Sequence, residues 1–151
     1  MSARKEFLLT TPALFRTLDP NQRPVWGLMS PQHLVEHIVS AWRISNGRAR
    51  VKCLFEGEAL EKRRMFLFSN TEYPRNLTNP VVGDGLPPLR KPDLKAAIAQ
   101  LEDEMNAFFE FHQANPEATE THPAFGDLDY DGWIQFQYKH MRHHMMQFEL
   151  V

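Results

Sequence analysis

Two pairs of histidines stand four residues apart: His33 with His37, and His140 with His144 in the run Lys139-His140-Met141-Arg142-His143-His144. On a helix that spacing stacks two imidazoles on one face, where both can reach one metal ion from the same side. Neutral imidazole suits zinc, nickel and similar ions, and reactive centres commonly use three protein ligands, leaving positions for water or substrate. The facing of each ring, at about 100° per residue, separates the candidates. Trp133, Ile134, Gln137, Met141, Met145 and Phe148 mark the inward stripe of the last segment, with His140 and His144 at its edge and His143 further round. In the earlier segment Leu34, Ile38, Ala41 and Trp42 mark the apolar centre, and His37 lies closer to it than His33. His33 falls in a first helical turn, where the positive end of the helix dipole disfavours an imidazolium. His37, His140 and His144 are therefore the candidate metal set.

An i,i+4 pair can equally be a polar edge over a Met-rich core. The alternative reading is a non-catalytic helical module that dimerises or binds a partner and whose histidines are structural. Glu36 sits in the wrong slot for a His-Glu-x-x-His base and reads as solvent-facing. Gln137 and Gln147 read either as helix-surface residues or as partners of ligand imidazoles or water. Trp133, Gln137, Phe125 and His122 are the candidates for lining a pocket beside the site, with Phe125 also read as a plug where its loop meets the bundle. Arg63 and Arg64 read as a solvated helix face, and Cys53 has no basic or histidine cluster beside it in sequence to make a reactive thiolate.

The elements that must position these side chains follow from periodicity and stop signals. Phe7 to Leu18 reads as a short helix, with Thr11-Pro12 offering an N-cap and a first-turn proline. Ser30-Pro31 opens a second helix that Gly47 ends. Gly57 to Ser69 suggests a third, and Pro92-Asp93 opens a long helix to about Ala114. Asp129 caps the terminal helix, which runs to about Phe148. Between Glu72 and Pro92 five prolines and two glycines exclude regular structure, so that connection reads either as a cover over a site or as a stiff outer strap. No window shows convincing period-2 alternation, and Ala49 to Phe55 comes nearest. The expected fold is all-α: an antiparallel bundle of about four helices, one domain over residues 1–151.

Composition agrees with a core of that size. The 151 residues are 42% hydrophobic, and 17 Lys+Arg against 19 Asp+Glu leave a net charge of -2. That balance carries no footprint of a nucleic-acid or anionic-membrane binder, so the expected partner is a small molecule. One cysteine excludes an internal disulfide, the start MSARKEF lacks the apolar core of a signal peptide, and the cytoplasm is the default expectation. A homodimer is a reasonable prior for a small bundle.

Met29-Ser30-Pro31-Gln32-His33-Leu34-Val35-Glu36-His37-Ile38 resembles the segment with which DinB/YfiT-like proteins enter their metal-bearing helix. His122-Pro123-Ala124-Phe125-Gly126, then Trp133, then His140-Met141-Arg142-His143-His144-Met145-Met146-Gln147-Phe148 are similar to a subgroup with an HPxFG loop and an HxxHHxxQF ending. The resemblance implies a four-helix bundle of up-down-down-up connectivity with a divalent metal, commonly nickel or zinc, held by one histidine of the second helix and the His-x-x-x-His pair of the last. Carried over, those ligands are His37, His140 and His144. Some members of that superfamily are transferases, isomerases or hydrolases that use low-molecular-weight thiols, and the resemblance extends that expectation to a metal-bound thiol or water here.

Overall fold

The computed structural model describes residues 2–75 and 85–151. It contains five helices: α1 (Ala3–Phe15), α2 (Pro31–Ser45), α3 (Gly57–Leu67), α4 (Leu94–Ala114) and α5 (Tyr130–Met146). Local cap chemistry sets the starts of α2, α4 and α5 as the sequence predicts. Ser30 accepts the His33 N–H with Pro31 at the first helical position, Asp93 accepts the Ala96 N–H, and Asp129 accepts the Gly132 N–H.

The first helix departs from the sequence expectation. It begins at Ala3, capped by the Ser2 hydroxyl at the Lys5 N–H, and Thr11-Pro12 lies inside it rather than at its start. A proline there removes the N–H that would reach back to the Leu8 carbonyl. The Thr11 hydroxyl donates to that carbonyl at 2.7 Å, so the bond is replaced and the helix continues to Phe15.

Helix α2 packs along α4 and α1 along α5, with further α2–α5 and α1–α4 contacts. The four stripes meet in a core that includes Phe15, Leu34, Trp42, Leu101, Phe108, Trp133 and Met141. Helix α3, with Leu67 as its buried residue, lies against α5.

The connection between α4 and α5 folds into a small antiparallel hairpin, β1 (Glu120–His122) and β2 (Gly126–Leu128), paired Glu120 to Leu128 and His122 to Gly126. Its strands are three residues each, too short for alternation to register in sequence, while Ala49 to Phe55 forms no strand. Gly126 takes φ +73°, a left-handed conformation that glycine adopts without strain. Arg64 donates to the carbonyls of Phe125 (2.7 Å) and Asp127 (2.9 Å), and Arg63 lies over the Phe55 ring. These two arginines therefore tie α3 to neighbouring loops instead of forming a solvated face. Of the proline-rich connection, residues 76–84 lie outside the described residues. Among the described residues no helix is long and apolar enough to cross a membrane.

Candidate metal centre

His37 projects from the middle of α2, and His140 and His144 project one turn apart from the second half of α5. The Nε2 of His140 lies 3.0 Å from the Nε2 of His37 and 3.0 Å from the Nε2 of His144. One ligand atom from each of the three falls within 4.8 Å of the others, so the group could hold a metal ion. His33 stays apart from it, its Nδ1 paired with the Ser30 hydroxyl at 2.7 Å.

All three rings are held in the neutral form that a metal requires. Burial pushes His37 down to about 4, with the neighbouring His143 adding to the effect. Burial also holds His140 and His144 well below the ordinary imidazole range, reinforced by the other histidines of the cluster. The Nδ1 of His144 contacts the Gln147 Oε1 at 2.6 Å, while the Gln147 Nε2 donates to the Trp26 carbonyl at 3.2 Å. Because the amide oxygen can only accept, the His144 proton is on Nδ1 and the Nε2 lone pair faces the centre. The main chain adds a second tie between the same segments, the Val25 N–H donating to the Gln147 carbonyl at 2.7 Å. His140 has its ring stacked on Phe136, with centroids 5.0 Å apart and planes 19° apart.

His37 and His140 open onto a cavity of about 330 Å³, whose walls include Ile44, Pro88, Leu89 and Phe136. Of the four expected pocket residues, His122 stands on this cavity and the other three do not. Trp133 is buried with its indole N–H donating to the Glu120 carbonyl, Gln137 is buried with its amide towards the Ser45 hydroxyl, and Phe125 packs into the core. Trp133 and Phe125 support the wall from behind, both packing on the Phe136 ring.

A family model described as the DinB superfamily matches residues 10–148. The chain belongs to the DinB superfamily. Among solved structures, this DinB-superfamily chain is similar to one described as "TT2238, a four-helix bundle protein", with 21% identity, 99% of this chain and 92% of that chain covered, and a TM-score of 0.51. That likeness concerns the fold. No curated protein matches the chain.

Two contributors at this DinB-superfamily site were not legible in sequence. Glu36, expected in solvent, is only 5% exposed and accepts from the backbone N–H groups of Arg90 (2.7 Å) and Lys91 (3.3 Å) and from the Gln32 amide (2.9 Å). Burial raises its carboxyl, but these donors outweigh that and hold it below its ordinary value. Arg90 closes the arrangement, its guanidinium bonding the Glu36 carboxylate and carbonyl and the Ser40 hydroxyl. The described end of the proline-rich connection is thus pinned beside the cavity by a charge on α2.

Proposed function

We propose that this protein binds a divalent metal ion, nickel or zinc, through His37, His140 and His144, and uses it to act on a small molecule admitted by the adjoining cavity. The supporting observation is the approach of three Nε2 atoms, those of buried His140 and His144 and half-buried His37, with His140 3.0 Å from both partners. Three neutral imidazoles facing one another cannot all be satisfied by sharing protons, since the His144 Nε2 brings only a lone pair. A cation at the centre satisfies all three at once. The two 3.0 Å separations are near that occupant's, because nitrogens about 2.0–2.1 Å from a tetrahedral ion stand about 3.3 Å apart.

When bound, such a metal lowers the pKa of a coordinated water or thiol and so supplies a nucleophile at neutral pH. The reaction class we infer is hydrolysis, or transfer involving a low-molecular-weight thiol. The chain's own groups hold the three rings neutral and oriented, stack Phe136 on His140, and shape an entrance between α2, the hairpin and the segment at Leu89-Arg90. Metal analysis of untagged protein beside a His140→Ala/His144→Ala variant tests this reading. We expect near-stoichiometric metal in the parent and a trace in the variant; equal content in both would sink it.

A further inference from the structure

His122 is not part of the three-histidine cluster, yet it lines the same cavity as His37 and His140. It ends β1 at the mouth of the hairpin, and its ring rests against Phe136, Phe125 and Trp133, with centroids 4.3, 4.7 and 5.5 Å away. Its Nδ1 accepts the Ala124 N–H at 2.9 Å and the Phe125 N–H at 3.3 Å. A nitrogen that accepts from two backbone donors carries no proton, so the proton of this imidazole is on Nε2. Burial, which pushes His122 down to about 3, keeps the ring in that neutral form at physiological pH.

The Nε2–H has no hydrogen-bond partner among the described residues, and it is not one of the sealed polar atoms of the interior. With the opposite edge held by the hairpin turn and the faces packed on aromatic rings, the cavity is the open space it reaches. The charged donor on this wall is already engaged, the Arg90 guanidinium being bonded to Glu36 and Ser40, and His33, also on the wall, has its Nδ1 on the Ser30 hydroxyl. The apolar part of the wall includes Ile44, Leu89 and Phe136.

We propose that His122 is the ligand-recognition residue of this cavity, a neutral imidazole whose Nε2–H receives a carbonyl or carboxylate oxygen of an apolar-bodied ligand engaged by the three-histidine centre. This rests on the metal reading above and adds the chemical class of the ligand. Two constraints place the acceptor oxygen away from the metal-bound end: the ion takes one end of the molecule, and His122 is a separate member of the cavity wall.

Cobalt-loaded protein with two thiol probes tests it, since thiolate binding to cobalt is visible as charge-transfer absorption. Propane-1-thiol offers no acceptor, whereas methyl 3-mercaptopropionate and 3-mercaptopropionate offer an ester and a carboxylate oxygen. The parent should bind an acceptor-bearing probe roughly tenfold more tightly than propane-1-thiol. Which of the two gains more distinguishes a neutral carbonyl from a carboxylate ligand. His122→Asn keeps an oxygen that can accept the N–H two residues on, preserving the turn, but loses the Nε2–H. In that variant the preference should fall to about one with cobalt stoichiometry unchanged. An undiminished preference in the variant, or none in the parent, overturns the assignment to His122. A parent that takes up no cobalt overturns the metal reading and this proposal with it. Nitrogen-15 NMR of the parent gives an independent check: a proton on the His122 Nδ1 would overturn the proposal whatever the variant does.

Discussion

The Nδ1 of His144 lies 2.6 Å from the Oε1 of Gln147, a contact across one turn at the end of α5 that decides which nitrogen of the ring is left for the cluster. The same amide reaches the Trp26 carbonyl, so the loop before α2 and the last turn of α5 are fastened through one side chain.

Gln147→Ala should therefore weaken zinc binding by about 10- to 100-fold, because the His144 ring loses both its tautomer preference and its orientation. Competition against a chromophoric chelator measures this, with circular dichroism showing an unchanged helix content. An affinity equal to that of the parent would leave Gln147 without the role.

Gly27 offers a second route to the same effect. Its φ is +83°, and a Cβ built there would stand 3.0 Å from the Gln147 Nε2. Gly27→Ala should lower both thermal stability and zinc affinity, whereas a substitution at exposed Leu28 should change neither appreciably.

Zinc should raise the thermal midpoint of the parent, by linkage worth about 2.7 kcal/mol at a free concentration 100 times Kd. The His140→Ala/His144→Ala variant should show no such rise. Scanning calorimetry with and without zinc, after chelator treatment, provides the comparison, and an unchanged midpoint in the parent would favour structural histidines.

Metal-free protein should lose stability as the pH falls below about 6.5. His112 donates from Nε2 to the Ser45 carbonyl at 3.1 Å, and burial lowers it despite the opposing pull of Glu120 and Asp129. His122 is lowered to about 3. Groups with depressed imidazole values bind protons in the unfolded chain before the folded one, so stability is full above the unfolded value and declines as pH drops through that window. At pH 5.5 His122 alone should cost about 1 kcal/mol, read as a lower urea midpoint than at pH 7.5.

Replacing Thr11 by valine keeps the shape but strands the Leu8 carbonyl beside Pro12 in a buried turn. The expected loss is about 1–3 kcal/mol by urea unfolding. A loss below about 0.5 kcal/mol would show that the carbonyl finds another donor.

Element starts were legible where the signal is chemically local. Ser30, Asp93 and Asp129 each satisfy an N–H three residues on, within their own segment. Thr11-Pro12 carries the same sequence signature and misleads, because the Thr11 hydroxyl repairs the interior of a helix rather than opening one. The Glu36 environment was hidden because, apart from Gln32 one turn away, its donors come from Arg90 and Lys91, more than fifty residues along the chain.

Sequence by itself determined which histidines share a helix face, for the 3.6-residue period and the apolar stripes are properties of each segment alone. It also settled the bundle class, through four stripes that must be covered. Tertiary structure decided that His37 meets His140, 103 positions further along the chain, that His122 joins them on one cavity while Trp133, Gln137 and Phe125 stand outside its lining, and that Glu36 is buried under Arg90. Those outcomes depend on how helices and a short hairpin pack against one another, and packing is fixed by side chains from several segments together, so no single window of sequence carries it.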